Sequence, residues 1–287
     1  MGADSKGGKL DFLMRMANAS RRRAETARSR ADWNAVSRAA ERAHPVVPLE
    51  LSPEGFDLIA EVKFRAPSVG TLAGESVSPV EQARCYAAGG AAALSVLTEP
   101  DEFAGELAHL EEVAAGLPQM PAMRKDFLVD PYQILEARAA GASGVLVVVA
   151  MLDDSEMRDM LHMALDLGMF ALVEAFDEAD LDRCLPLMDA AGDALRDGVC
   201  RLMIGVNCRD LRTLEVQFDR FTELAPRLPA DIPRVAESGV QTPDQVREVA
   251  AQGYQLALVG TALMRADAPA DAARALLAAG RGACASS

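Results

Sequence analysis

The sequence predicts a (β/α)8 TIM barrel with an N-terminal helical extension, and three observations support this α/β fold class. Eight short apolar segments alternate with eight amphipathic segments of helical period, which is the element count of such a barrel. Charged residues stand where the apolar segments end, at the ligand-binding rim of parallel strands. The turn from Lys63 to Gly70 lacks the G-x-G-x-x-G pattern. That pattern usually follows the first strand of a doubly wound open sheet, which is the alternative fold with the same alternation.

The composition indicates a large, acidic, globular chain. Its 287 residues are half apolar, which is enough for one barrel or for two ordinary domains. The formal net charge of −14 argues against binding to nucleic acid or to an anionic membrane. An anionic small-molecule substrate would need cations gathered at one place. The pattern does not fix the oligomeric state, and a monomer is compatible with it.

Cysteine and histidine usage indicates a reducing compartment. Five scattered cysteines, odd in number and without metal-binding spacing, favour free thiols in the cytoplasm. The three histidines form no H-x-x-x-H pair, so we expect no zinc site. No charge-free apolar run reaches about 18 residues, and the N-terminus lacks the apolar core of a signal peptide. We therefore expect a cytoplasmic protein without a spanning helix.

The first fifty residues are expected to lie outside the barrel. Residues 1–8 are rich in Gly, Ser and Lys and are predicted to be a disordered tail, and residues 9–50 are predicted to be the helical extension. An apolar stripe begins at Leu10, and a cluster of arginines follows it. We expect these arginines to form a solvated helix face paired with Glu25 and Glu41, with RNA contact as the alternative.

The barrel is predicted to occupy residues 51–287. Its strands are expected at residues 58–63, 92–98, 121–126, 144–150, 170–175, 201–207, 234–238 and 256–260. Its helices are expected near residues 79–89, 105–116, 131–140, 154–167, 177–192, 218–225, 242–252 and 268–279. Asp130-Pro131 and Thr242-Pro243 are typical helix starts. Four glycines are expected to end helices as left-handed C-caps, namely Gly89, Gly141, Gly168 and Gly253.

Polar side chains cluster at the predicted strand ends. Each of them alone is explained by a structural ion pair, since a charge in an apolar strand is costly to bury unless paired. Their convergence on one rim instead indicates a catalytic cluster of two lysines and three glutamates. The strand-end residues are Glu61, Lys63, Thr98, Lys125, Glu174, Asn207, Arg209, Glu237 and Ser238. We expect Lys125, partly desolvated and near another cation, to have a lowered pKa suited to acid catalysis.

The last two strand ends form a predicted phosphate cradle. Ser238-Gly239 closes the seventh strand and Gly260-Thr261 closes the eighth. Glycine turns near a helix start expose backbone N–H groups that bind a phosphate dianion. The loops after strands seven and eight are a common phosphate site in this fold, although both glycines are also explained as ordinary turn residues.

At these residues the sequence resembles the indole-3-glycerol phosphate synthase family of tryptophan biosynthesis. The matching segments include IAEVKFRAPSVG (59–70), MRKDFLVDPYQILEAR (123–138), IGVNCRDLRTLEV (204–216), VAESGV (235–240) and LVGTALMRADAP (258–269). The resemblance implies ring closure of 1-(2-carboxyphenylamino)-1-deoxyribulose 5-phosphate to indole-3-glycerol phosphate, carbon dioxide and water. It implies no metal and no organic cofactor.

The resemblance also implies a role for each matching residue. Lys125 would be the general acid, Lys63 would hold the substrate carboxylate, and Glu174 would be the base for dehydration. Glu61, Asn207 and Ser238 would orient these groups and the sugar hydroxyls. Substrate contacts are implied for Phe103, Phe127, Leu146, Arg209, Leu211 and Leu214, and phosphate contacts for Ser68, Gly239, Gly260 and Thr261. The spacing leaves open which lysine is the acid in each step.

Several positions depart from the family pattern. Phe64 stands where a basic residue is common, and Ala66 replaces the first serine of a Ser-Pro-Ser triplet in the loop after strand one. Glu102 and Glu106 flank Phe103 in place of an aromatic and a small hydroxyl residue, and the segment between Glu174 and Arg201 is longer than usual. A paralogue of altered specificity or without catalytic function therefore stays an alternative. A phosphoribosyl isomerase barrel is another, although its expected Cys and Asp pair is not evident.

Overall fold

The predicted strands form one closed parallel barrel in a computed structural model, which describes residues 11–66, 70–71, 77–211 and 215–285. The barrel strands are β1 (Asp57–Val62), β2 (Ala93–Leu97), β3 (Ala122–Lys125), β4 (Gly144–Val148), β5 (Phe170–Ala175), β6 (Leu202–Asn207), β7 (Arg234–Glu237) and β8 (Leu256–Val259). Each pairs in parallel with the next, and β8 pairs with β1, which closes the barrel. The predicted (β/α)8 fold is confirmed.

Helices surround the barrel and connect its strands. In chain order they are α1 (Asp11–Arg30), α2 (Trp33–Arg42), α3 (Pro79–Ala88), α4 (Pro100–Phe103), α5 (Leu107–Gly116), α6 (Pro131–Ala139), α7 (Asp154–Asp166), α8 (Glu178–Ala191), α9 (Arg220–Leu224), α10 (Pro243–Ala251), α11 (Thr261–Met264) and α12 (Pro269–Cys284). The short helices α4 and α11 were not predicted. Both follow directly on strand ends, so they shape the carboxyl rim of the barrel.

The strands form because their sequences suit burial on both faces. Every residue of β1, β2, β4, β5 and β6 is buried, which is typical of parallel sheets covered by helices. These strands are therefore mostly apolar runs, and apart from Asp57 at the start of β1 their charged residues, Glu61 and Glu174, stand near the carboxyl ends. The charges consequently meet at one end of the barrel.

Two predicted helix starts are present with the expected capping bonds. The Asp130 side chain accepts a hydrogen bond from the Tyr132 N–H, and Pro131 occupies the first turn of α6. Thr242 caps α10 and exchanges bonds with Gln245 in a capping box. The cap at Asp130 fixes the point at which the chain turns from β3 into α6.

Three of the four predicted glycine caps have the left-handed conformation, with φ of 88° at Gly141, 74° at Gly168 and 89° at Gly253. Helix α3 does end at Gly89, as predicted, but the left-handed conformation expected there was wrong, because the φ of Gly89 is −79° and it is the next residue, Gly90, that has φ of 91°. Gly89 has a packing reason instead. A Cβ there would lie 2.6 Å from the Cβ of Ala273 on α12.

The N-terminal extension consists of two helices and reaches the mouth of the barrel. A break at residues 31–32 divides the predicted helical region, and Asp32 caps α2 by accepting from the Ala35 N–H. Phe12 is buried and its ring lies 6.1 Å from the ring of Phe127, in the loop after β3. The predicted tail at residues 1–8, and Leu10, lie outside the described residues.

The arginines of α1 pair with the barrel and not with the predicted Glu25 and Glu41. Arg23 reaches Asp126 at 2.7 Å, directly after β3, and lies 3.7 Å from Glu99. Further pairs are Arg15 with Glu102 at 3.6 Å, Arg21 with Glu156 at 3.4 Å and Arg28 with Asp130 at 2.6 Å. Long-range ion pairs of this kind are invisible to a search of the same helix, which is why the sequence suggested local partners.

The long segment before β6 contains a small hairpin. Leu195–Arg196 pairs antiparallel with Val199–Cys200, which in turn pairs with Leu49–Glu50 ahead of β1. Asp197 and Gly198 form the two-residue turn, both with positive φ (53° and 82°), as a tight hairpin turn requires. Since this sheet adjoins the starts of β1 and β6, the insertion is at the end of the barrel opposite the strand-end charges.

A pair of glycines in α12 tests the packing of that helix. A Cβ at Gly280 would lie 2.2 Å from Cδ1 of the fully buried Phe56 ring, whereas a Cβ at Gly282 would meet no atom within 4 Å. We expect Gly280→Ala to lower the free energy of unfolding by about 1–3 kcal/mol through overpacking. Gly282→Ala should raise it by up to about 1 kcal/mol, because alanine favours the helix. Urea denaturation of both variants measures this, and equal effects would contradict the packing argument.

Candidate active site

A cavity of about 360 Å³ opens at the carboxyl ends of the barrel strands. It is lined by most of the residues predicted for the site, namely Glu61, Lys63, Phe103, Lys125, Phe127, Leu146, Glu174, Asn207, Arg209, Leu211, Ser238, Gly239, Gly260 and Thr261. The two remaining predicted residues, Ser68 and Leu214, lie outside the described residues. The structure therefore brings every described member of the predicted set to one cavity.

Lys125 is held between two carboxylates. Its Nζ lies 3.1 Å from Glu237 Oε2 and 3.3 Å from Glu174 Oε2. Both glutamate side chains are only 1% exposed, while that of Lys125 is 15% exposed. The ammonium thus bridges β5 and β7 across the barrel mouth, from its own position at the end of β3.

The expected lowering of the Lys125 pKa was wrong. Burial by itself lowers the pKa of Lys125, but the nearby carboxylates of Glu237, Glu174 and Glu61 outweigh burial and hold that pKa above its ordinary value. The prediction assumed that another cation would be the nearest charge. The fold places acidic groups there instead, so Lys125 stays protonated at neutral pH.

Glu237 is a buried acid with an altered titration. Burial, opposed by the Lys125 ammonium and assisted by the nearby Glu174, raises the pKa of Glu237 to about 8. The Oε1 atoms of Glu174 and Glu237 are both buried and have no hydrogen-bond partner among the described residues. One ammonium therefore serves two carboxylates, and each carboxylate keeps one oxygen unpaired.

The second lysine has its own acidic partner. Lys63, directly after β1, has its Nζ 2.6 Å from Glu61 Oε1. The two residues are two apart in sequence, so they lie on the same side of the strand, as the alternation predicted. A Cβ at Gly260 would lie 2.3 Å from Glu61 Oε1 and 3.0 Å from Lys63 Nζ, so Gly260 provides the space for this pair.

The turn after β7, which is part of the predicted phosphate cradle, has a left-handed backbone. Ser238 and Gly239 have consecutive positive φ values of 61° and 69°. A Cβ at Gly239 would lie 2.5 Å from Cys208 Sγ, so both conformation and space favour glycine there. Gly260 precedes α11, whose first residue, Thr261, also lines the cavity.

An apolar wall completes the cavity. The Phe103 and Phe127 rings are 6.2 Å apart, and Leu146 and Leu211 line the same space. Leu97 and Leu258 also line it and were missed, because each was interpreted only as part of an apolar strand. An aromatic ring fits such a wall better than a sugar does.

Three further charged residues line the cavity, namely Asp126, Glu237 and Arg265, and sequence reasoning gave none of them an individual role. Glu237 was recognised as a strand-end residue, and its position before Ser238-Gly239 was the available signal. Asp126 follows Lys125, and its partner Arg23 is 103 positions away. Arg265 comes five residues after Gly260, on the far side of α11, where the sequence showed only the start of the last helix.

The departures in the first loop have partners of their own. Phe64 packs against the ring of His109 on α5, at 4.9 Å between centroids. Arg65 donates to the carbonyl oxygens of Asp101 and Glu102 in α4. The loop after β1 is therefore attached to α4, which carries Phe103, and to α5. Phe64, the residue that departs from the family pattern, makes the contact with α5.

No helix in the described part of the chain is both long enough and apolar enough to cross a membrane. Nor do the His, Cys, Asp and Glu side chains within the described ranges form a group of three or more arranged to hold a metal ion.

A closed (β/α)8 barrel with titratable side chains gathered at its carboxyl rim defines the class of barrel enzymes. Within that class, the chain belongs to the indole-3-glycerol phosphate synthase family, since residues 13–276 match the family described as Indole-3-glycerol phosphate synthase.

Sequence relatives agree with this family assignment, and a solved structure agrees with the fold. The chain is 47% identical to an indole-3-glycerol phosphate synthase of Micrococcus luteus over 227 residues, covering 79% of this chain and 80% of the relative. It is 47% identical to that of a Nocardioides species over 220 residues, covering 77% and 79%. In fold alone it is similar to 3-hexulose-6-phosphate synthase from Salmonella typhimurium, with a TM-score of 0.59 at 14% identity over 80% of this chain and 99% of that one.

The buried acid Glu237 gives a testable pH dependence of stability. Its pKa is raised from 4.5 to about 8 in the folded protein, so its contribution to stability is full below pH 4.5 and is lost as the pH rises towards 8. We expect the parent protein to lose stability relative to Glu237→Gln as the pH rises from about 5 to about 8. Urea denaturation at several pH values measures the difference, and a difference that does not vary with pH would contradict the burial of this acid.

Proposed function

We propose that this protein is an indole-3-glycerol phosphate synthase, a carbon–carbon lyase. It closes the ring of 1-(2-carboxyphenylamino)-1-deoxyribulose 5-phosphate and releases carbon dioxide and water. The observation that carries the proposal is the Lys125 ammonium between Glu174 and Glu237, facing a cavity with an apolar wall and two glycine turns. Family membership supports the same reaction.

The proposed substrate has three parts that match three regions of the cavity. Its phosphate binds at the turns of Ser238-Gly239 and Gly260-Thr261, where backbone N–H groups favour an anion. Arg209, with Ser68 from the first loop, adds contacts to the sugar phosphate. The anthranilate ring lies against the aromatic and aliphatic wall formed by Phe103, Phe127, Leu146 and Leu211. A contact of the same ring with Leu214 is part of the proposal and rests on the family resemblance.

Lys63 holds the substrate carboxylate in this proposal. Its ammonium donates to Glu61 at 2.6 Å and has further N–H groups to offer. Holding the carboxylate orients the ring carbon that carries it towards the ribulose carbonyl. Such orientation supplies a large part of the rate enhancement when a chain must close on itself.

Lys125 is the proposed acid of the condensation. The ring carbon attacks the carbonyl carbon, a carbon–carbon bond forms, and the carbonyl oxygen takes a proton from the Lys125 ammonium. The raised pKa of Lys125 means that this proton is present at neutral pH and leaves only for a strong base, such as the developing alkoxide. Glu174 and Glu237 stabilise the ammonium again once it is reprotonated.

The later steps remove carbon dioxide and water. The carboxyl group leaves without its bonding electrons, which restores the aromatic ring. The new hydroxyl then leaves as water with a proton from a lysine, and Glu174 takes the proton whose loss completes the pyrrole ring. The buried, unpartnered Oε1 of Glu174 supports its role as that base. Glu61, Asn207 and Ser238 orient the reacting groups.

A cytoplasmic location and a small-molecule partner belong to the same proposal. The five cysteines are free thiols, as expected in a reducing compartment. Three of the α1 arginines that were considered for RNA, namely Arg21, Arg23 and Arg28, instead bind Glu156, Asp126 and Asp130. We therefore propose neither a nucleic acid nor a membrane as a partner.

A direct assay tests the proposed activity. Purified protein is mixed with the carboxyphenylamino sugar phosphate, and the fluorescence of the indole product is followed. We expect product at nanomolar to micromolar enzyme. No product at micromolar enzyme would leave the paralogue of altered specificity as the better interpretation.

Replacing Lys125 tests the proposed acid. We expect Lys125→Ala to lower kcat/KM by at least about 10²–10⁴, the usual contribution of a positioned acid. Far-UV circular dichroism should show an intact fold. Arg247→Ala is the control variant, because it also removes a positive charge but lies on the exposed face of α10. It should retain full activity. Substantial activity in a folded Lys125→Ala protein would contradict the role.

Replacing Glu174 tests the proposed base. We expect Glu174→Gln to slow product formation in a single turnover by about 10²-fold or more, while the substrate Kd changes by less than about threefold. Glu178→Gln, at the exposed start of α8, is the control and should leave both unchanged. A weaker substrate affinity with an unchanged rate of the chemical step would rule out this assignment.

A further inference from the structure

Gly205 lies in the middle of β6, beside the carboxylate of Glu237. A Cβ built on Gly205 would lie 2.0 Å from Glu237 Oε1 and 3.0 Å from its Cδ. Real Cβ atoms do not approach other atoms that closely, so the carboxylate occupies the space of the missing side chain. The glycine is thus part of the pocket that receives Glu237.

The backbone conformation gives no other reason for this glycine. The φ of Gly205 is not in the left-handed region, since no positive value is found there. Glycine weakens the interior of a strand, and within a strand it often marks a close approach of another group. Here the approaching group is the side chain of Glu237, from the neighbouring strand β7.

The register explains how the two residues meet. Asn207 of β6 pairs with Glu237 of β7, so Gly205 lies two residues earlier on the same side of β6. The Glu237 side chain leans back over that position. Its Oε2 contacts Lys125 Nζ at 3.1 Å, while its Oε1 points to Gly205 and is buried without a partner.

We propose that Gly205 is a positioning residue that acts through Glu237. By leaving its side-chain space empty, it lets the Glu237 carboxylate settle between β6 and β7 and share the Lys125 ammonium with Glu174. The inference rests on the proposed function for its consequence in catalysis, but the steric relation between Gly205 and Glu237 does not depend on it.

A methyl group at position 205 moves the Glu237 carboxylate. The barrel interior is closely packed, and Leu172 Cδ1 lies 3.1 Å from the same Cβ position, so the methyl group has no free space on that side. The carboxylate must turn towards the cavity and lose its 3.1 Å contact with Lys125. Lys125 is then held by Glu174 alone.

A matched glycine separates this effect from simple overpacking. Gly144, at the start of β4, also has no room for a side chain, since a Cβ there would lie 2.2 Å from the Phe170 ring. Its clash involves only a hydrocarbon neighbour. Gly144→Ala should therefore lower stability without disturbing Lys125.

A double-mutant cycle tests the proposal through activity. We expect Gly205→Ala to lower kcat by about 10-fold or more with KM changed by less than about threefold, and to lower kcat by less than about threefold in a Glu237→Asp background. The shorter aspartate leaves the space that the methyl group needs. If Gly205→Ala lowered kcat equally in the parent and in the Glu237→Asp protein, the clash with Leu172 would be the cause of the loss. That result would overturn the proposal.

A second readout does not depend on catalysis. The chain has four lysines, Lys6, Lys9, Lys63 and Lys125, so the Lys125 Nζ signal is readily assigned by nuclear magnetic resonance from its loss in Lys125→Ala. The chemical shift of the Lys125 Nζ signal should change in Gly205→Ala and stay unchanged in Gly144→Ala. An unchanged signal in folded Gly205→Ala would overturn the proposal. The two proposals can also fail separately. If the signal shifts in Gly205→Ala but the parent protein has no synthase activity, the positioning role of Gly205 is supported and the proposed function is refuted.

The test also covers a variant that does not fold. If Gly205→Ala alone is unfolded, Gly205→Ala/Glu237→Ala should fold, because removing the carboxylate vacates the same space. Its failure to fold would show that Glu237 is not the group that Gly205 accommodates.

Discussion

The arrangement of the site depends on one ammonium group shared by two buried carboxylates. Removing ionisable groups from water is costly, and the attraction between the ammonium and the acidic groups compensates only when the distances are short and fixed. The closed barrel meets that condition, because Lys125, Glu174 and Glu237 come from β3, β5 and β7. The strands cannot move apart without breaking the ring of parallel pairs. The fold therefore maintains a charge arrangement that a flexible loop could not hold.

The N-terminal extension contributes to the same arrangement from outside the barrel. Arg23 of α1 binds Asp126, the residue after Lys125, and Phe12 packs on Phe127, the next residue. Asp126 also accepts from Thr98 at 2.8 Å, at the end of β2. At the end of β3, Asp126 and Phe127 are thus held by contacts with α1, and Lys125 before them faces the cavity. The extension packs against the rim of the barrel mouth, a placement that its helical pattern alone did not reveal.

Local sequence information was enough to locate the secondary-structure elements and to identify most residues that line the cavity. Continuous apolar runs, helix caps at Asp130 and Thr242 and polar strand ends located all eight strands within one or two residues. They also placed Lys63, Lys125 and Glu174 at one rim, because parallel strands of a barrel end together. The partners of these groups could not be predicted. Whether Arg23 binds Glu25 or Asp126 is decided by packing between distant parts of the chain.

The pKa of Lys125 depends on which charged groups lie beside it, and a list of the residues in the site does not give that information. Knowing that two lysines share a rim suggested mutual repulsion and a lowered pKa, whereas the structure places three carboxylates nearer and reverses the direction. The position of those carboxylates depends in turn on residues that have no side chain. Gly205 leaves room for Glu237 and Gly260 leaves room for Glu61. In an apolar strand a glycine is usually interpreted as a weakness or a bend. At this rim, glycines are what allows a carboxylate to lie beside a lysine without opening the barrel.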